Sequence, residues 1–167
     1  MPKPYFRADN FHCRQSLGYL TRRVQNLTTP HAEAIFADQE LTFTQWISLM
    51  GLSEGVAKTS ADLARHLNHD AGATTRLVDQ LEERGLVKRQ RSKSDRRVVQ
   101  LSLTPQGRAV ARMHVPPIVD FWNRVTDEFA PQEIKQLIGL MTRLIERLEA
   151  EPMHAPAPQE RKKRAVK

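Results

Sequence analysis

Residues 59–104 read TSADLARHLNHDAGATTRLVDQLEERGLVKRQRSKSDRRVVQLSLT, and the fold turns on them. Thr59, with Asp62 three residues on, makes a helix start: a threonine oxygen and a carboxylate together satisfy two orphan N–H groups of a first turn. Ala61, Leu63, Ala64 and Leu67 supply the apolar positions of that helix. Asp70 is placed to cap a second helix, with Gly72 near the bend between the two. Leu77, Val78, Leu81 and Leu86 recur at helical spacing, so one face is buried. Gly85 falls where a left-handed C-terminal cap is wanted. Two short amphipathic helices joined in this way predict a helix-turn-helix.

A ribbon follows. Residues 86–90 alternate weakly, and Val99, Leu101 and Leu103 alternate well against Val98, Gln100 and Ser102. Between these runs lies RSKSDRR (residues 91–97), too polar for any core. The pattern predicts an antiparallel ribbon with a charged tip. A helix-turn-helix followed by such a ribbon is a winged helix.

These residues carry a family likeness. LEERGLVKRQRSKSDRRVVQLSLTPQGR (residues 81–108) resembles the recognition-helix end and wing of the MarR family of bacterial transcriptional regulators. SLGYLTRR (residues 16–23) resembles the first helix of that family, and the likeness runs over residues 11–150. It implies a mainly α fold with a small β-ribbon: a winged helix-turn-helix domain plus N- and C-terminal dimerisation helices. The expected plan is a flexible arm (1–10), N-terminal dimerisation helices (11–40), the winged helix-turn-helix (41–104), C-terminal dimerisation helices (105–150) and a disordered basic tail (151–167).

Composition agrees with a nucleic-acid partner. A chain of 167 residues can bury one proper core, and with 40% hydrophobic and 27% charged residues it reads as globular. The net charge of +7 and pI of about 10 favour a polyanion, against the plainer reading of a solvated basic surface. The charge clusters at the wing, where Lys88, Arg89, Arg91, Lys93, Arg96 and Arg97 face one acid, Asp95. One cysteine excludes an internal disulfide and a multi-cysteine metal site, and a reducing cytoplasm is expected. No apolar run approaches the roughly 20 residues that span a bilayer, and MPKPYFRADNFH has no signal-peptide core.

The flanks read as helices. Phe11, Leu17, Leu20, Val24 and Leu27 mark one face. Pro30 either begins a new helix capped by Thr29 or kinks a longer one. Thr42 with Gln45 has a capping-box shape and starts a helix whose apolar face is Trp46, Leu49, Met50 and Leu52. Thr104-Pro105 is a clean helix start, and Pro116-Pro117 should kink or break that helix, a departure from the family's uninterrupted one. After Ala130-Pro131, residues Ile134, Leu137, Ile138, Met141, Leu144, Ile145 and Leu148 form a long stripe. Such a stripe wants a partner helix, from a second copy as in the family or from the same chain.

For DNA, Ala73, Thr74, Thr75, Arg76 and Asp79 lie in the half of the second helix that would enter a major groove. Arg91, Lys93 and Arg96 are candidates for phosphates. The family's wing signature implies that Arg97 inserts into the minor groove, with Asp95 orienting it; a narrow minor groove favours arginine. The resemblance also implies an effector, a phenolic or aromatic carboxylate held between the dimerisation helices and the winged domain. His12, Tyr19, Trp46 and Met50 are candidates for its aromatic wall, and Arg22 or Arg23 for its carboxylate partner; Trp46 and Met50 read more readily as plain core than as ligand wall. Family members that sense oxidants would carry the cysteine near Ser16, one turn after Cys13.

The six histidines join no Cys or acid cluster, so neither a metal nor a cofactor is expected. No Gly-rich phosphate loop, nucleophile elbow or metal motif points to an enzyme. The expected function is a ligand-responsive dimeric repressor on a pseudo-palindromic operator, released by a small aromatic compound. The alternatives are a ligand-independent architectural DNA-binding protein, a cysteine-based oxidant-sensing repressor and a winged-helix protein adaptor.

Overall fold

The computed structural model describes residues 5–37, 40–91, 95 and 97–152. The chain divides into two compact units, Met1–Phe121 and Trp122–Lys167.

In the first unit a 3-10 turn, Cys13–Gln15, leads into α1, Leu17–Phe36. Ser16 caps α1, its hydroxyl accepting from Tyr19 N–H at 3.3 Å. Of the two readings of Pro30, the continuous one holds: the proline lies inside α1 and starts no new helix. Only the last turns of α1 are buried, through Ala32 and Phe36, while Leu17, Leu20, Val24 and Leu27 stay exposed.

α2, Phe43–Ser53, begins at the expected capping box: Gln45 N–H donates to the Thr42 hydroxyl at 3.2 Å, and Thr42 N–H donates to the Gln45 side-chain oxygen at 3.1 Å. α3, Ser60–Leu67, is capped by the reciprocal Thr59–Asp62 pair. α4, Ala71–Glu83, starts at Asp70. The bend between α3 and α4 corrects the expectation for Gly72, which lies in the first turn of α4. The left-handed residue there is Asn68, at φ 52°. Gly85 is left-handed, as the cap after α4 requires, at φ 67°.

β1, Val87–Arg91, and β2, Val99–Leu103, pair antiparallel, Val87 opposite Leu103 and Arg91 opposite Val99. Leu101 N–H also donates to the Lys58 carbonyl at 2.8 Å, tying β2 to the link before α3. α5, Pro105–Met113, follows the Thr104 cap, and Gly107 lies so close to the chain that an added Cβ would stand 2.0 Å from the Leu86 carbonyl oxygen. α5 stops at His114 and α6, Val115–Val125, starts at once. Pro116 and Pro117 occupy the first turn of α6, where a missing N–H costs no helical bond, so the double proline breaks the helix as its chemistry demands.

The core joins α1, α2, α3, α4, the ribbon and α5 through Phe36, Leu49, Leu63, Val78, Leu81, Leu101, Leu103 and Ala111. Leucines three and four apart on short helices bury one stripe each, and none of these helices would hold together alone.

In the second unit Thr126 N–H and hydroxyl both bond the Trp122 carbonyl at the end of α6. α7, Pro131–Ala150, begins where Ala130 N–H donates to the Glu133 carboxylate at 2.9 Å. Leu137, Ile138, Leu140, Met141, Ile145 and Leu148 on α7 are all exposed. Among the described residues no helix is long and apolar enough to cross a membrane.

Candidate nucleic-acid interface

α4 presents a defined outward face because Thr74, Val78 and Leu81 are buried. Residues three and four apart share a face, so Gly72, Thr75, Arg76 and Asp79 line the other side. Thr75 and Arg76 are exposed and Asp79 partly so. Asp70 begins this helix by accepting from Ala73 N–H at 2.8 Å. That bond, against a smaller effect of burial, holds the Asp70 carboxyl below its ordinary value. The positive end of α4, with Thr75 and Arg76 one turn in, is therefore fixed before any ligand arrives.

One recognition-helix candidate is corrected. Thr74 is 1% exposed and its hydroxyl donates to the Asp70 carbonyl at 2.9 Å, so it faces the core and reads no base. Its polarity hid this in the sequence: a threonine that back-bonds to the carbonyl four residues earlier is satisfied without solvent. Thr75 makes the same back-bond, to Ala71 at 2.8 Å, yet the residue remains exposed on the outward face. Ala73 is half-buried.

Asp79 is also more than a solvated acid. The Arg89 guanidinium, from β1, donates to Asp79 Oδ1 at 2.6 Å and to Glu82 Oε2. Sequence reasoning missed Arg89 and Glu82 as part of the site. The signal was there in two acids three apart on a helix, followed by a basic residue at a strand position that points back toward them.

In the wing, Arg91 ends β1 and is exposed. Asp95 Oδ1 accepts from Arg97 N–H at 2.9 Å, and Val98 N–H donates to the Asp95 carbonyl at 3.0 Å. Asp95 thus closes the turn on which the exposed Arg97 stands. Lys93 and Arg96 lie outside the described residues.

The six effector candidates do not converge. Trp46 donates its indole N–H to the Ala111 carbonyl at 2.9 Å and packs against Phe36 and Phe43, and Met50 packs on the core beside them. Both are structural, as their size and apolarity allow. His12 borders a small hollow with Tyr5 and Phe6, Arg22 a shallow groove beside Pro30, and Tyr19 is exposed on α1 like Arg23. The larger hollow, about 630 Å³, lies between α1, α2 and the end of α3, with Glu33, Phe36, Phe43, Ile47, His66 and His69 among its walls. Its signal is weak in sequence because its lining comes from three helices. Cys13 is exposed, and Ser16 Oγ donates to its carbonyl.

Comparison with known proteins agrees with this geometry. The model of the MarR family matches residues 41–99. The HTH-type transcriptional repressor Rv2887 of Mycobacterium tuberculosis is 35% identical over 96 residues, covering 58% of this chain and 69% of the relative. The transcriptional repressor CouR, solved bound to a 23-mer DNA duplex, is 26% identical with a TM-score of 0.66 over 78% of this chain and 93% of CouR. Wild-type apo MarR from E. coli is 25% identical with a TM-score of 0.65 over 77% of this chain and 96% of that one. An outward helix face carrying Thr75 and Arg76, a basic wing and these likenesses have one meaning: the chain belongs to the MarR family and is a DNA-binding transcriptional repressor, not an enzyme.

Proposed function

We propose that this repressor works in the cytoplasm as a homodimer on a pseudo-palindromic operator and is released by a small aromatic acid. Thr75 and Arg76 read the major groove, Arg91 contacts phosphate, and Arg97, set by Asp95, enters the minor groove. Lys93 and Arg96 add phosphate contacts by their place in the sequence. The DNA-bound state of CouR, a relative with the same fold, supports this docking. A second copy covers the apolar faces of α1 and α7, which are exposed in the single chain.

The observation that carries effector release is the about 630 Å³ hollow and its link to α4. Thr42 and Phe43 line it, and Thr42 shares its capping box with Gln45. Gln45 in turn donates from Nε2 to Gln80 on α4 at 3.1 Å. An apolar wall of Phe36, Phe43 and Ile47, rimmed by His66 and His69, suits an aromatic ring with an anionic group. A ligand that displaces the start of α2 thereby biases α4, and DNA affinity falls by the difference in its affinity for the two states.

The test is fluorescence anisotropy on the protein's own upstream intergenic DNA, at fixed salt, with a panel of aromatic carboxylates. Sequence-specific binding released by one compound is expected, with Arg76→Ala and Arg97→Ala each losing operator affinity. Release only by oxidant would move the switch to Cys13. Binding without sequence preference would favour an architectural protein.

A further inference from the structure

We infer that Arg89 is a positioning residue for operator recognition: it straps the wing to the recognition helix and is not a phosphate contact. The inference rests on the reading of α4 and the wing as the DNA-contacting surface.

Three hydrogen bonds converge from this one strand residue on two helix residues. Nη2 donates to Asp79 Oδ1 at 2.6 Å, Nη1 donates to Glu82 Oε2, and the backbone N–H donates to Glu82 Oε1 at 3.2 Å. Asp79 and Glu82 are three apart, so both carboxylates lie along one side of α4. The planar guanidinium holds two separated oxygens at fixed angles, which an ammonium does not. Burial works against the Arg89 charge, but its hydrogen bonds to the Asp79 and Glu82 carboxylates and their negative charge outweigh it, and the group titrates above its ordinary value.

The place of Arg89 along the ribbon gives the strap its purpose. It sits opposite Leu101, the last buried residue of β2 toward the wing tip. Beyond this pair Gln90, Arg91, Val99 and Gln100 are exposed. Leu101 N–H is tied to Lys58 on one edge, and Arg89 is tied to α4 on the other. The strap therefore stands at the root of the free part of the ribbon. It sets the angle at which the Asp95–Arg97 turn leaves the helix that carries Thr75 and Arg76. Its cost is two carboxylates on a surface that meets phosphates. A surface built for charge alone would leave both acids out.

That cost makes the inference testable, because charge and geometry predict opposite signs. Operator and scrambled duplexes are titrated against the wild type, Asp79→Asn/Glu82→Gln, Arg89→Lys and Arg89→Ala. The double amide variant removes two negative charges with almost no change of shape. The strap predicts that it binds operator about tenfold or more weaker, the scale of one lost base contact, while binding scrambled DNA as well as or better than wild type. Arg89→Lys, which keeps the charge, is expected to lose operator discrimination as Arg89→Ala does. The salt slope of Arg89→Ala on scrambled DNA should equal that of wild type. A phosphate contact would reduce it by about 0.9 for each one lost.

Tighter operator binding by the double amide variant, or full rescue by Arg89→Lys, overturns the strap. Wild type that does not prefer operator over scrambled DNA overturns the docking itself, whereas wild type that does, with variants that match it, overturns the strap alone. Should Arg89→Ala unfold, the double amide variant, with helical circular dichroism equal to wild type, still decides the sign.

Discussion

Gly107 needs no special dihedral; it needs the absence of a side chain. An added Cβ would lie 2.0 Å from the Leu86 carbonyl oxygen, a backbone atom with no rotamer to give. Gly107→Ala should therefore push α5 off the start of β1 and cost about 1–3 kcal/mol, the range for overpacking, measured by urea unfolding. Asp62 supplies a different residue-scale prediction. The Thr59 hydroxyl beside it and then the Lys58 N–H outweigh burial and hold its carboxyl below the ordinary value of 3.8. A depressed folded pKa stabilises the fold above the ordinary value and loses that stability as pH falls through the folded one. Melting temperature should drop as pH is lowered below about 4, and Asp62→Asn, less stable at neutral pH, should show a shallower drop. A carboxylate with no such linkage would give Asn and Asp the same acid limb. The Asp62 cap was legible from its spacing to Thr59. Gly107 was legible only as part of a family motif, since a steric need created by Leu86, twenty-one residues earlier, leaves no local pattern.

At the scale of elements, the helix starts were the most readable features and the bends the least. Capping boxes involve side chains three residues apart, so the Thr42–Gln45 and Thr59–Asp62 pairs announce α2 and α3 in the sequence. A glycine, Gly72, stands near the bend after α3, whereas the left-handed residue is Asn68. Asparagine tolerates that conformation because its short amide can bond locally. Asn68→Gly should be neutral within a few tenths, while Asn68→Val should cost about 1–2 kcal/mol, the penalty of a Cβ in left-handed backbone. Equal melting temperatures for the two variants would refute this. Pro30 is the converse case: sequence allowed a break, and α1 continues because its neighbours on both sides keep helical geometry. The outward residues of α4 were legible as a set, but which of Thr74 and Thr75 faces out depended on where the helix begins to within one residue. The hollow proposed for the effector was not legible, because its wall is assembled from single residues of three helices and not from one segment.

For the whole molecule, exposed apolar surface is the main demand left open by one chain. Ile138 on α7 is 62% exposed, in a stripe with Leu137, Met141, Ile145 and Leu148. In a monomer, Ile138→Glu would be an ordinary surface change, within about half a kcal/mol. In the dimer we propose, it buries a charge in an apolar seam. Light scattering after size exclusion should then show the mass halved, and operator affinity should fall with it because two half-sites are no longer read together. An unchanged mass would count against α7 as the seam.

The Gln45 amide has a consequence for how this chain can change by descent. Its oxygen faces Thr42 N–H and Arg84 Nη1, both of which only donate, so its nitrogen must face Gln80, which must present oxygen. The direction of one amide dictates the other. A glutamate at 45 would keep the cap and suit Arg84 better, but it would have only oxygen to offer Gln80. Gln80 would then have to turn its amide around and donate; a glutamate there as well would set two acids against each other. Positions 45 and 80 should therefore not drift independently in the lineage of this protein, although they lie on different helices and 35 residues apart.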